Sequence, residues 1–146
     1  MAITLNELLK KFEDLSDQHL QIKRFGSGPI EDVNTFSPSS GEFPILWIVP
    51  QNVRLSENTL IYIIRVLIFD IDETSDLNRN EILSDTLLIL NDIFQQFKND
   101  DNNFEVNTDL IATPFNQRFV DYCTGWFADI EITTNINNSL CLIPNE

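Results

Sequence analysis

The chain is poor in the residues that usually carry chemistry. Among its 146 residues there is one histidine and there are two cysteines. One histidine, His19, supports neither a Ser-His-Asp triad nor a histidine-rich metal site. Cys123 and Cys141 lack metal or redox spacing and are read as two reduced thiols. Glycine (4) and proline (6) are too few for a collagen-like or linker-like chain. Basic residues are few as well. Nine Lys and Arg face 23 Asp and Glu, a formal charge of −14, which argues against a basic nucleic-acid-binding surface. No stretch suits a bilayer either. The longest apolar run, residues 60–71, is short and holds Arg65 and Asp70. The first residues, Met1-Ala2-Ile3-Thr4-Leu5-Asn6-Glu7, have no basic segment and no continuous apolar segment, so no signal peptide is expected there.

What is present is core-forming material. Hydrophobic residues make up 42% of the chain and aromatics 10%, enough for one domain with a packed interior and too much for a disordered tail. Thr4 and Glu7 form a T-x-x-E capping box. Leu5, Leu8, Leu9, Phe12 and Leu15 follow at helical spacing, which predicts a first helix over residues 5–17. Residues 20–25 alternate and predict a strand, stopped by Gly26-Ser27-Gly28-Pro29. Residues 34–42 are polar and Ser-rich and are predicted to form a mobile loop. Residues 44–50 form an apolar run bounded by prolines, which predicts a strand near a sheet edge.

Residues 59–71 give the strongest strand signal, apolar on both faces apart from Arg65. Such a strand must be covered on both faces. A helix can supply one cover; a second layer or a neighbouring subunit must supply the other. Asn78 and Glu81 predict the cap of a second helix, ending near Lys98. Its predicted buried stripe is Leu83, Leu87, Leu90, Phe94 and Phe97, widened by Ile82, Ile89 and Ile93. Two more apolar stretches follow, residues 104–115 and 122–134. In the second, Trp126, Ala128, Ile130 and Ile132 alternate with Phe127, Asp129 and Glu131, as in a half-buried strand. The tail, residues 135–146, is polar except for a candidate docking segment, Leu140-Cys141-Leu142-Ile143. The expected class is α+β: a mostly antiparallel sheet packed by two helices, in the order α-β-β-β-α-β-β, as a single domain over residues 1–146.

Two motifs invite a chemical reading. Phe69-Asp70-Ile71-Asp72-Glu73-Thr74 resembles motif I of haloacid-dehalogenase-type phosphatases. There the first aspartate, here Asp70, attacks a phosphoryl group, and the second, here Asp72, is the acid/base beside Mg²⁺. Only 72 residues follow Thr74, too few for the long parallel core in which that motif works, and later partner motifs are missing. Asp70, Asp72, Thr74, Asp76, Asn78 and Glu81 also occupy ligand positions of a calcium loop, but Ser75 replaces its glycine and a strand precedes it. Acids before a helix N-terminus are favourable without any ion. Gly26 and Gly28 lack the third glycine of a nucleotide loop. Trp47, Trp126 and Phe127 lack basic neighbours and are read as core or interface residues rather than base-stacking ones.

The order and local wording of the elements carry a further resemblance. His19-Leu20-Gln21-Ile22 and Phe25-Gly26-Ser27-Gly28 precede Ile30-Glu31-Asp32-Val33, then Phe43-Pro44-Ile45-Leu46-Trp47. The long strand ends in Phe69-Asp70. Glu81-Ile82-Leu83-Ser84-Asp85 opens the long helix, which contains Asn91-Asp92-Ile93. Gly125-Trp126-Phe127-Ala128 opens the last strand, and Cys141-Leu142-Ile143-Pro144 lies near the end. Over almost its whole length the chain resembles small neck and tail structural proteins of tailed bacteriophages that infect Bacteroidetes, including crAss-like phages. These are similar in layout to tail-terminator and tail-completion proteins.

The resemblance implies no enzyme, no cofactor and no active site. It implies a homo-oligomeric ring around the DNA channel, touching adjacent neck, tail or portal proteins, in a virion assembled in the bacterial cytoplasm. DNA would pass through without specific binding. The residues expected to provide packing and subunit contacts are Trp47, Ile61, Ile63, Arg65 and Leu67. The alternatives are a small acidic adaptor that binds a host or phage protein, and a phosphatase using Asp70 and Asp72.

Overall fold

The fold is seen in a computed structural model, which describes residues 3–34, 43–71, 79–99, 104–107, 109–118 and 123–135. Helix α1, Leu5–Gln18, starts where the capping box places it. The Thr4 hydroxyl accepts the Glu7 N–H (3.2 Å), and Glu7 Oε1 accepts the Thr4 N–H (3.1 Å). At its other end, the His19 N–H closes the helix on the Leu15 and Ser16 carbonyls. Leu8, Phe12 and Leu15, three or four residues apart, form its buried stripe.

Helix α2, Arg79–Asn99, has 21 residues and is about 32 Å long. Its expected cap, Asn78, lies outside the described residues. The buried stripe of α2 is rotated from the expected one. It runs through Ile82, Thr86, Ile89, Ile93 and Phe97, with Leu90 and Phe94 beside it, while Leu87 is exposed. The cause is Thr86. Its hydroxyl donates to the Ile82 carbonyl at 2.6 Å, so a polar residue occupies the core side without an unmet hydrogen bond. Phe12 of α1 stacks on Phe97 of α2, with centroids 4.3 Å apart.

The strands are β1 (Arg24–Ser27), β2 (Ile45–Leu55), β3 (Thr59–Ile71), β4 (Glu105–Val106), β5 (Ala112–Arg118) and β6 (Cys123–Asn135). They form one sheet in the order β1-β2-β3-β6-β4, and β5 also pairs with β6. All pairs are antiparallel except β1 with β2. The α+β class and the general element order agree with expectation; several boundaries do not. Strand β1 forms at 24–27, not 20–25, because pairing with Ile45–Ile48 decides its position and the alternation before it does not. It runs through Gly26 and stops before Gly28, whose φ of 128° suits only glycine. Strand β2 continues five residues past Pro50, held by β3 across a bulge between Pro50 and Asn52. Pro50 lies beyond Ile48, the last residue paired to β1, so its missing N–H costs no bond there. The apolar stretch at 104–115 divides into β4 and β5, which meet different parts of β6.

Strand alternation sends side chains to opposite faces. Leu46, Ile48, Tyr62, Ile64, Val66, Ile68, Ala128, Ile130 and Ile132 meet α1 and α2 and form the main core. Chain entry is tied to the same face. The buried Ile3 gives its N–H to the Thr134 hydroxyl (3.2 Å), and its carbonyl accepts the Tyr62 hydroxyl (3.0 Å). Among the described residues, no helix is long and apolar enough to cross a membrane.

Candidate functional site

The other face of the sheet divides in two. Over its inner half, Ile45, Trp47, Val49, Leu67, Phe69, Phe115 and Cys123 form a second core with Val33. The 3₁₀ turn Ile30–Asn34 supplies Val33 and Ile30, and Phe43 and Phe127 pack at the margin. Gly125 lets this half close. It lies between Phe69 and Phe115 in register, and a Cβ there would run into the Ile68 carbonyl and stand 2.7 Å from the Phe69 Cα. Phe69 and Phe115 meet edge to face, centroids 6.2 Å apart.

The outer half has no such cover among the described residues. There β3 presents Ile61 and Ile63, both half-buried, beside Arg54 and Asn52 of β2 and Thr133 and Glu131 of β6. An antiparallel sheet face turned to water normally alternates to polar residues. Strand β6 obeys this with Asp129, Glu131 and Thr133, and β3 does not. Arg65 marks the boundary. Its guanidinium makes two bonds to Asp129, from Nε at 2.8 Å and Nη2 at 3.2 Å, and lies 4.6 Å from the Phe127 ring centre. The bond to Asp129 raises the Arg65 pKa further, so the guanidinium stays charged throughout ordinary pH.

All five residues expected to provide packing and contacts therefore fall on one face, at alternate positions. Trp47 and Leu67 are cross-strand neighbours inside the second core, at 2% and 4% exposure. They are packing residues, closed off by the chain itself; the Trp47 indole N–H is spent on the Gly28 carbonyl at 3.2 Å. Ile61, Ile63 and Arg65 remain on the accessible half.

Two features escaped the sequence reading. One is the hairpin arm beyond Pro50, where Val53 (43% exposed) and Leu55 (76% exposed) point to the helix side of the sheet, opposite Tyr62 and Leu60. The other is a groove of about 270 Å³ between α2 and the segment leading into β5. It is lined by Leu87, Leu90, Asn91, Phe94, Asp109, Leu110 and Ala112. Leu88 and Ile111 are exposed apolar side chains of the same two segments. The signal available in the sequence was the Leu87-Leu88 pair, which no single helical stripe can bury together with Ile82, Ile89 and Ile93.

The acidic motif stands on a different footing. Asp70 is the next-to-last residue of β3, a strand antiparallel to both neighbours, whereas the phosphatase motif it imitates works on a parallel strand. Its carboxylate accepts the N–H of Ile71 at 2.7 Å. Burial raises the Asp70 pKa, and the nearby Asp85 raises it further, against the lowering effect of that bond. Asp72, Thr74, Asp76 and Asn78 lie outside the described residues, as do the 35–42 part of the expected loop, Cys141 and the docking segment at 140–143. His19 lies between the helices, with Nε2 3.1 Å from Asp92 Oδ2 and Nδ1 accepting the Gln21 N–H. Among the described residues, no three His, Cys, Asp or Glu side chains come together as a metal site. No protein-family model matches the chain, and no curated protein is significantly similar to it.

Proposed function

We propose that this chain is a structural virion protein that closes into a homo-oligomeric ring in the neck or tail of a tailed phage, around the DNA channel. The observation that carries the reading is the outer half of the second sheet face, which no described residue covers. There an apolar pair, Ile61 and Ile63, lies on a rigid strand paired on both sides. A repeated contact between unlike surfaces of identical subunits closes into a ring when the rotation permits. Subunit contacts through Ile61, Ile63 and the Arg65–Asp129 pair would supply a layer that is absent among the described residues. Adjacent neck, tail or portal proteins would meet the two rims of the ring.

The charge of −14 suits a protein that encircles DNA without gripping it. Acids lining the lumen would repel the phosphates and let the duplex slide. Neutralising those acids should slow DNA ejection; unchanged ejection would remove this part of the reading. The role itself is tested by deleting the gene from its phage. Electron microscopy should then show heads and tails that fail to join, or tails left unfinished. Normal, infectious particles without the protein would overturn it.

A further inference from the structure

We infer that residues 140–143, Leu140-Cys141-Leu142-Ile143, fold back from the end of β6 and lie as a strap across Ile61 and Ile63 of the same chain. The docking stands apart from the ring reading; its consequence rests on that reading. The strap and a neighbouring subunit compete for the same apolar pair, so the strap holds subunits apart until a partner displaces it. Strand β6 ends at Asn135, opposite Thr59, at the outer end of the sheet. Thr133 is opposite Ile61 and Glu131 is opposite Ile63. The farther isoleucine therefore lies only about 14 Å back along the strand. Residues 136–146 lie outside the described residues.

Chain length allows this return. The link from Asn135 to Leu140 spans up to about 17 Å when extended. It reads Ile136-Asn137-Asn138-Ser139, and Asn and Ser favour a reversal of direction. The other places within reach are taken. On the helix side, Thr134 is 1% exposed and its hydroxyl accepts the Ile3 N–H, while the Tyr62 hydroxyl donates to the Ile3 carbonyl. In the plane of the sheet, β3 holds one margin of β6, and β4 holds the other at Thr133 and Ile132, so no added strand fits there. What remains is the outer half of the second face, where no described residue covers Ile61 and Ile63.

Charge and tethering select the chain's own segment over a second copy. From Ile136 to Asn145 the sequence carries no charged residue, so it lies on an acidic protein without added repulsion. A second copy brings a further net charge of −14. A segment on a short tether also docks at an effective concentration of roughly millimolar, far above that of free copies in dilute solution. When extended, it presents Leu140 and Leu142 on one side and Cys141 and Ile143 on the other, an apolar pair either way.

The test is disulfide trapping in the full-length chain at low concentration. Ile63→Cys is paired with the native Cys141 in one variant, and with Leu142→Cys in a second that also carries Cys141→Ser, so both sides of the segment are probed. Cys123, 2% exposed in the second core, stays out of reach. Val53→Cys, paired in the same two ways, is the control, near the same end of the sheet but on its helix side. The expected result is an intrachain link to position 63 in at least one variant, identified by peptide mapping and formed roughly tenfold or more faster than any link to position 53. No link to position 63, or equal rates at 53 and 63, overturns the strap and leaves the ring reading standing. Links between chains that increase with concentration overturn it in favour of a second copy. Leu142→Ser with Ile143→Ser, one from each side of the segment, is expected to strengthen association roughly tenfold or more in light scattering. Unchanged association, with the link formed, overturns the hold on assembly. Absence of the protein from virions would overturn the ring reading, and that hold with it, even if the link formed.

Discussion

The inner and outer halves of one sheet face are built from the same strands and end differently. In the inner half, Trp47, Leu67 and Phe69 are sealed by the 3₁₀ turn, Phe43 and Phe115. In the outer half, Ile61 and Ile63 of the same strand β3 stand among polar neighbours on β2 and β6. The difference teaches where the described residues supply a second layer and where they stop. Strand β3 stays apolar beyond the cover that the described residues provide, which is why the proposed subunit contact is placed there.

Mutations can break this comparison, and the largest effect belongs to the inner half. Trp47→Ala empties a site at 2% exposure and should cost about 3–5 kcal/mol of stability, measured by urea unfolding. Ile63→Ala, on the same face but half-buried, should cost about 1 kcal/mol, well below the range for a fully buried isoleucine. Its main effect should be on association, seen by light scattering. Equal losses of stability at the two positions would erase the distinction. Arg65→Met, at the boundary, removes a pair that is about 40% exposed and should cost under about 1 kcal/mol, since solvent screens it.

The smallest effect is a pH dependence at the inner end of β3. Burial and Asp85 lift the Asp70 pKa above its ordinary 3.8, so the folded chain holds this proton more tightly than the unfolded chain. The stability it contributes is present below pH 3.8 and is lost as pH rises through the raised value. Asp70→Asn should therefore be slightly more stable than the wild type at pH 7. The gain should vanish in urea titrations run near pH 3.8. A gain that persists in acid would contradict this account of Asp70.

Much of this architecture was legible in local pattern. The Thr4–Glu7 capping box placed α1, and the long, largely apolar run placed β3 at 59–71 with its observed bounds. The alternation around Ala128, Ile130 and Ile132 marked the helix side of β6 correctly. What failed depended on partners far along the chain. Strand β1 is defined by Ile45–Ile48, which its own residues do not reveal. The arm beyond Pro50 mixes polar and apolar residues and is exposed, and only pairing with β3 makes it a strand. Thr86 sits in the α2 stripe because a hydroxyl bonded to its own helix can be buried, whereas hydropathy counts it as surface.

The site was half legible. Counting a strand apolar on both faces asked for a second cover, which the described residues supply over the inner half alone, and the five nominated residues share a face. Alternation could not say that Trp47 and Leu67 lie under the chain's own cover while Ile61 and Ile63 lie beyond it. That depends on how far the 3₁₀ turn reaches across the sheet, a tertiary fact. The groove was invisible for a similar reason, since Leu110 reaches α2 only because the chain leaves β6 between Val106 and Ala112.

The central claim is that this chain is a ring subunit of the virion, and counting copies tests it most directly. Quantitative mass spectrometry of purified virions should find the chain at a fixed number of copies per particle, the same in every preparation and large enough to close a ring. Its absence, or a trace amount that varies between preparations, would contradict the account.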